Sequence, residues 1–354
     1  MTVSRVDYGD VLSMTEEELS TLMTTLGAER FRGQQLFQGL WRQAIRNYRD
    51  LSVWPRKLQE LMEREYPFKR LGVVRHETSA DGTVKLLLAL QDGQHVETVV
   101  LPHRYGYSVC VSSQVGCAMG CTFCASGLKG RVRQLTAGEM ADQVLVANEL
   151  LASQGQRVSR VDIMGIGEPL DNFDAVIRFI ELIHHPRGLY ISYRHITVST
   201  SGLVPNIRRL AETGIPVTLA VSLHAPNDAL RTRLMPINRA YPLTKLMSAV
   251  RDYTRRTRRR VTFEYLLLKD VNDREEHAKE LGRLLQGLLA HVNLIPWNPV
   301  PEHPFRPSPA ADVRRFQSIV QEYGISCTIR RELGQEIEAA CGQLRLREEE
   351  RVLR

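Results

Sequence analysis

Residues 109–127 read VCVSSQVGCAMGCTFCASG, and the rest of the chain is organised around them. Three cysteines, Cys117, Cys121 and Cys124, stand at C-x3-C-x2-C spacing on a loop after an apolar run, and Cys110 lies seven residues upstream. Short loops with several thiolates at such intervals hold metals or iron–sulfur clusters. Three thiolates can hold three irons of a 4Fe–4S cluster, which leaves the fourth iron open to a ligand. That asymmetry points to chemistry at the open iron rather than to electron transfer alone. A structural zinc, with Cys110 as its fourth ligand, is the competing reading. Thiols that only pack would need no such spacing.

Six cysteines in 354 residues, with no apolar leader in the opening MTVSRVDYGDVLSMTEEELS, read as reduced thiols of a cytoplasmic protein rather than a disulfide framework. No long uncharged stretch suggests a membrane span. The length suffices for one large core plus small modules. A formal charge of +7 favours a polyanionic partner, although basicity alone is weak evidence. Residues 251–260, RDYTRRTRRR, carry six arginines, and Lys129, Arg131 and Arg133 directly follow the cysteine loop. The first run reads equally well as a solvated helix end. The second, beside the presumed site, is the better candidate for phosphate contact.

In chain order, Ser13 to Glu16 reads as a capping box opening a helix that Gly27 ends. Residues 30–46 form a second helical pattern, and Pro55 starts a third through about Tyr66. Residues 71–102 change character, with turn signals at Asp81-Gly82 and Asp92-Gly93 dividing strand-like stretches at 84–90 and 96–101. From Ser108 onward strands and helices alternate. The strands are 108–111, 158–164, 195–199, 217–223, 261–268 and 291–296. The helices are 137–152, 173–184, 205–213, 243–257, 275–289 and 311–323, and a closing strand covers 327–330. Serial strand–helix units imply an α/β fold with a parallel sheet, an open six-unit partial barrel with its site at the carboxyl ends of the strands. The expected division is a helical module over 1–68, a β-extension over 69–105, the core over 106–300 and a C-terminal segment over 301–354.

Polar motifs fall at those strand ends: MGIGEP at 164–169, STSG at 199–202, SLHAPN at 222–227 and WNP at 297–299. Each alone is weak, since a glycine after a strand is usually a turn and a serine or histidine there usually caps a helix. Four such groups at one end of one sheet, beside a three-thiolate loop, indicate a cofactor pocket. His103 and the pair His184-His185 lack ligand partners at a sensible spacing and are assigned no metal.

These motifs resemble the radical S-adenosylmethionine superfamily. More narrowly, CVSSQVGCAMGCTFCASG, MGIGEPLDN, STSG, SLHAPND, MPINRAYP, NLIPWNP and AACGQL, in that order, resemble the RlmN/Cfr family of RNA adenine methyltransferases. The cysteine loop indicates only the superfamily, whereas AACGQL together with Cys110 is specific to the family. MGIGEPLDN and NLIPWNP look more like the RlmN branch than the Cfr branch.

The resemblance implies a radical S-adenosylmethionine partial (βα)6 barrel, with Cys117, Cys121 and Cys124 holding one 4Fe–4S cluster. It implies S-adenosylmethionine contacts at Gly167, Glu168, Ser199, Ser222, Leu223, His224 and Asn298. It implies that Cys341 is methylated by one S-adenosylmethionine, and that a radical generated from a second takes hydrogen from that methyl group. The resulting carbon adds to adenine position 2, which is not nucleophilic and so closed to polar methyl transfer. Glu97 matches the family's proposed base, and Cys110 would attack the sulfur of Cys341, releasing product through a transient disulfide. Without the resemblance, Cys341 and Cys110 would read as core cysteines and Glu97 as an exposed strand carboxylate. Cys327 matches no catalytic position and is read as a packed thiol.

The implied substrates are 23S rRNA, at an adenosine of the peptidyl-transferase centre, and the tRNA adenosine beside the anticodon. An electron donor such as flavodoxin or ferredoxin would be needed, no membrane is expected, and a monomer is the default. The helical module and the arginine runs are the candidate RNA contacts. A Cfr-type enzyme acting at position 8, a radical enzyme acting on a peptide or small molecule, and a non-enzymatic iron–sulfur nucleic-acid-binding protein are the alternatives.

Overall fold

The computed structural model describes residues 10–331, 333–339 and 342–344. Three helices come first: α1 (Glu16–Thr25), α2 (Phe31–Arg42) and α3 (Arg56–Glu65). The capping box of α1 lies two residues later than the sequence suggests. Thr15 Oγ1 accepts the Glu18 N–H at 3.2 Å, and Glu18 Oε2 accepts the Thr15 N–H at 2.7 Å. Ser13 is engaged elsewhere, its N–H on Asp10 Oδ1 at 3.0 Å and its hydroxyl accepting from Gly138 N–H at 2.8 Å. The second helix stops at Arg42 rather than Arg46, because Ala44 turns the chain at φ 50°.

An antiparallel meander follows: β1 (Gly72–Thr78), β2 (Val84–Ala89), β3 (His95–His103) and β4 (Gly106–Cys110). A separate small hairpin, β5 (Gln114–Gly116) with β6 (Arg131–Gln134), brackets the cysteine loop. The alternating part then runs α4 (Ala137–Ala152), β7 (Val158–Ile163), α5 (Phe173–His184), β8 (Ile196–Thr200), α6 (Val204–Glu212) and β9 (Thr218–Ser222). It continues with α7 (Asp228–Leu234), α8 (Leu243–Thr257), β10 (Val261–Leu267), α9 (Glu275–Leu285), β11 (Ala290–Pro296), α10 (Ala310–Glu322) and β12 (Ser326–Ile329). Helix α7 and the β5–β6 hairpin were not foreseen from the sequence.

The large sheet has ten strands in the order β1-β2-β3-β4-β7-β8-β9-β10-β11-β12. From β4 to β12 every pair is parallel and the order never reverses. Crossovers of one hand between strands laid down in one direction put all helices on one face. The other face becomes an interior, and among the described residues the end strands β1 and β12 do not pair, so it stays open.

The two faces follow from strand periodicity. Val161, Ile163, Ile196, Val198, Leu219, Val221, Phe263, Tyr265, Val292 and Leu294 are buried on the helix side. The alternating positions carry Cys110, Asp162, Ser199, Ser222, Glu264 and Asn293, the polar interior. The N-terminal helices share one continuous apolar core with the sheet helices, Leu19, Met23, Phe37, Trp41 and Met62 belonging to the same cluster as Val176 and Phe179. Arg178 of α5 adds a two-pronged bond to Glu18, both arms 3.0 Å. Among the described residues no helix is long and apolar enough to cross a membrane.

Candidate active site

The cysteine loop is pinned at its base. Gly116 (φ 75°) lies so close to Gly130 that an added Cβ would fall 2.0 Å from the Gly130 carbonyl oxygen. Cys117 N–H donates to that same oxygen at 3.0 Å, and Thr122 N–H reaches Leu234 O at 3.0 Å. Beneath the loop, Phe123, Ala225, Met235, Leu266 and Trp297 form an apolar cluster apart from the main core, with Cys121 and Cys124 packed on it.

Burial pushes the Cys117 thiol up to about 11, and like charge from Cys124 and then Glu168 and Asp171 adds to this. Burial followed by Cys124 and Cys117 raises Cys121 well above its ordinary value. Thiols that are costly to ionise this close together need a cation among them to become ligands. Among the described residues no three His, Cys, Asp or Glu side chains converge tightly enough for a single ion. A zinc would need its sulfur donors at about 2.3 Å from one centre. Cys110 packs instead with Val99, Ile166, Ala339 and Leu344. The donor set therefore fits a multi-iron cluster on three thiolates better than a closed zinc site.

The turn after β7 sits directly against this loop. Gly167 (φ 110°) is held so near Gln114 that a side chain there would meet its Cβ at 2.6 Å. Gln114 Oε1 accepts the Glu168 N–H at 2.8 Å, while its amide donates to Gln134 Oε1 at 2.7 Å and Asp171 Oδ2 at 2.9 Å. Glu168 is buried, and its two oxygens accept from Leu170 N–H at 3.0 Å and Ser201 N–H at 2.6 Å. Burial raises its pKa, and these hydrogen bonds work in the opposite direction.

Ser199 and Ser222 close β8 and β9 on the interior face. Leu223 is fully buried, its N–H on Glu264 O at 3.0 Å and its carbonyl taken by Arg231 Nε at 3.3 Å. His224 adopts φ 56°, and its Nδ1 accepts the Leu266 N–H at 3.0 Å, which leaves the ring hydrogen on Nε2. Burial, and then the nearby Arg231 charge, push this ring down to about 3, so it is neutral and braces the loop.

Three supporting residues were given no role from the sequence. Arg231 on α7 is fully buried and joins the loops after β8 and β9, donating to Ser201 O at 2.6 Å, Ser222 O at 3.1 Å and Asn238 Oδ1 at 2.9 Å. Asn272 binds His224 O at 2.8 Å and Leu266 O, while its own carbonyl takes Leu268 N–H at 2.7 Å. Gln114 is the third. The usable signal was Asn227 ahead of DALRTRL, a helix N-cap whose side chain accepts the Leu230 N–H at 3.0 Å.

A cleft of about 500 Å³ runs along the interior from the turn between β3 and β4 to the carboxyl ends of β4, β7 and β11, lined among others by Cys110, Cys124, Asn298, Asp162, Gly342 and Leu344. Cys341 lies outside the described residues, but its neighbours are tied to the cysteine loop. Ala125 N–H donates to Gly342 O at 2.8 Å, and Ser126 Oγ to Leu344 O at 2.9 Å. Glu97 is buried on β3, on the same side of the strand as Val99, a residue of the cleft wall. Lys85 Nζ lies 4.0 Å from its carboxylate.

Arg131 and Arg133 do not offer free charges. Arg131 pairs with Asp171, and Arg133 is chelated by Glu139 at 2.8 Å in two bonds and by Asp92 at 2.6 Å. Both hold the β5–β6 hairpin against the body of the protein.

A model of the radical SAM superfamily matches residues 111–281. The chain is 48% identical over 338 residues to a protein of Geobacillus kaustophilus named "Probable dual-specificity RNA methyltransferase RlmN", covering 96% of this chain and 93% of that one. A protein of the same name from Symbiobacterium thermophilum is 50% identical over 338 residues, covering 94% and 90%. The crystal structure of a radical SAM methyltransferase from Sphaerobacter thermophilus superposes with a TM-score of 0.92 at 45% identity, covering 95% of this chain and 99% of that one.

Proposed function

The chain belongs to the RlmN family of radical S-adenosylmethionine RNA methyltransferases, and from that membership we propose that it methylates carbon 2 of adenine in 23S rRNA and in the tRNA adenosine beside the anticodon. The observation that carries this reading is one cleft shared by Cys110, the cluster-loop residue Cys124, and the two residues Gly342 and Leu344 that follow Cys341.

Cys117, Cys121 and Cys124 would hold the 4Fe–4S cluster. When bound, the cluster would supply the electron for reductive cleavage of S-adenosylmethionine. The strand-end residues Gly167, Glu168, Ser199, Ser222, Leu223, His224 and Asn298 form the S-adenosylmethionine pocket. Leu223 and His224 serve it mainly by shaping backbone, since their polar atoms are largely committed within the protein. Cys341 carries the methyl group to the base. Glu97 takes the ring proton. Cys110, already buried in the cleft wall, attacks the Cys341 sulfur to free the product. The resulting disulfide is reduced to two thiols by an external dithiol before the next turnover, and a small electron-donor protein of the flavodoxin or ferredoxin kind would reduce the cluster. Residues 1–68 serve as an accessory module that contacts RNA.

The test is nucleoside mass spectrometry after anaerobic reconstitution with S-adenosylmethionine, reductant and either protein-free 23S rRNA or bulk tRNA, with Cys341→Ala alongside. The expected result is 2-methyladenosine with the intact protein alone. Product at position 8 would keep the chemistry and overturn the carbon. S-adenosylmethionine cleavage with neither RNA modified would overturn the substrate.

A further inference from the structure

The cleft opens past a basic, aromatic rim to which the chemistry above assigns no role. Arg104 and Tyr105 form the tip of the β3–β4 hairpin, closed by His103 opposite Gly106. The Tyr105 side chain is 63% exposed. His103 stacks on it with ring centroids 5.0 Å apart and planes at 6°, and the Arg160 guanidinium carbon lies 4.6 Å from its centroid. The His103 ring is anchored in turn to Ser108 Oγ at 2.9 Å. Arg330 and Arg331 stand on the cleft wall just after β12.

Among the described residues Arg104, Arg160 and Arg331 form no ion pair within 4.0 Å, although Arg331 lies near enough to Asp81 to help lower its pKa, in contrast to the directly paired Arg131 and Arg133. Arg104 and Arg331 line the cavity, from the β3–β4 turn and the end of β12, and Arg160, within β7, reaches the exposed Tyr105 ring beside them; cations gathered in this way from three strands are what a single nucleotide drawn out of a folded RNA would meet. A solvated surface needs no such convergence.

We propose that this rim, chiefly Arg104, Arg160 and Arg331, grips the RNA phosphates flanking the nucleotide that enters the cleft. The proposal rests on the RNA-methyltransferase reading above and relocates the RNA contact from both arginine runs, the one adjoining the cysteine loop and the one at 251–260, which reads as a solvated helix end. His103 and Tyr105 act as positioning residues that hold the hairpin tip and Arg160 in place.

The experiment compares the reconstituted full chain with the double variant Arg104→Glu/Arg331→Glu, with Arg104→Lys/Arg331→Lys, and with Arg256→Glu at the exposed end of α8. Binding of a fluorescent tRNA anticodon stem-loop is measured by anisotropy across a salt series, with melting temperature and cluster absorbance as checks of folding. The double Glu variant should bind about ten-fold more weakly or worse, with its log–log salt slope reduced by about 0.7–0.9 for each phosphate that is no longer neutralised. The Lys variant should keep most of the affinity and the slope, and Arg256→Glu should keep both. If the parent methylates RNA but the double Glu variant binds as tightly as the parent, the rim assignment fails alone. Equal weakening by Arg256→Glu would also overturn it, because the effect would then be general charge. If the parent neither binds nor methylates RNA, the enzymatic reading fails and this inference with it.

Discussion

The ammonium of Lys85 stands 4.0 Å from the carboxylate of Glu97 on the neighbouring strand. The same ammonium is 2.9 Å from Glu77 and donates to the carbonyl of Ile337, in the segment that leads to Cys341. That segment is latched a second time where Gly334 N–H meets Asp81 Oδ2 at 2.9 Å, in the β1–β2 turn. One lysine thus links the candidate base to the approach of the candidate methyl carrier.

Replacing Lys85 by Met should therefore act on both. It removes the cation that Glu77 and Glu97 share, in a site where the Lys85 and Glu97 side chains are 11% and 7% exposed, while Glu77 keeps Arg75. Breaking a pair so buried costs about 3 kcal/mol. Urea denaturation should show that loss, and RNA methylation should fall about ten-fold. Normal stability with normal turnover would remove Lys85 from the site.

Arg231 tests how far a structural residue controls the pocket. Arg231→Lys keeps the charge but cannot reach Ser201, Ser222, Leu223 and Asn238 together. Stability should drop by about 3 kcal/mol and S-adenosylmethionine affinity by about ten-fold, because carbonyls at two strand ends lose their donor. Isothermal titration of the reconstituted protein gives the affinity directly. Unchanged affinity in a folded variant would mean that the two loops hold their shape without it.

His224 gives a pH signature. Its folded value of about 3 lies below the ordinary 6.5, so between those limits the unfolded chain takes up a proton that the folded chain refuses. Its contribution to stability is complete above pH 6.5 and declines on acidification by about 1.4 kcal/mol per pH unit. Asparagine tolerates the same left-handed backbone. Denaturation midpoints followed from pH 7.5 to 5.5 should fall less steeply in His224→Asn than in the parent. Parallel curves would show that the ring is not the titrating group.

The cysteines should divide cleanly. Cys121→Ala should abolish cluster absorbance and cut bound iron and sulfide, since two thiolates remain of three. Cys327 is buried on β12, its thiol pushed up to about 12 by burial. Cys327→Ala should retain iron, sulfide and RNA methylation at a cost of about 1 kcal/mol in stability. Loss of iron in Cys327→Ala would contradict its reading as a packed thiol.

Local pattern determined much of this protein. The 3.6-residue and two-residue periods place α4, α5 and α8 to the residue and the seven parallel strands to within a residue or two. The cysteine spacing and the strand-end glycines mark the candidate site, because each works through a few neighbours along the chain. Only the tertiary structure decided what depends on distant residues. Ser13 lost the cap of α1 to Thr15 through a contact with Gly138, 125 residues away in the chain. Arg131 and Arg133 were equally basic in any reading of the sequence, and it is the arrival of Asp171, Glu139 and Asp92 that consumes their charge. Arg231 looks like a surface helix residue until α7 packs it beneath two strand ends. Whether a charge is solvated, paired or buried is a property of the space around it, and no stretch of sequence carries that space.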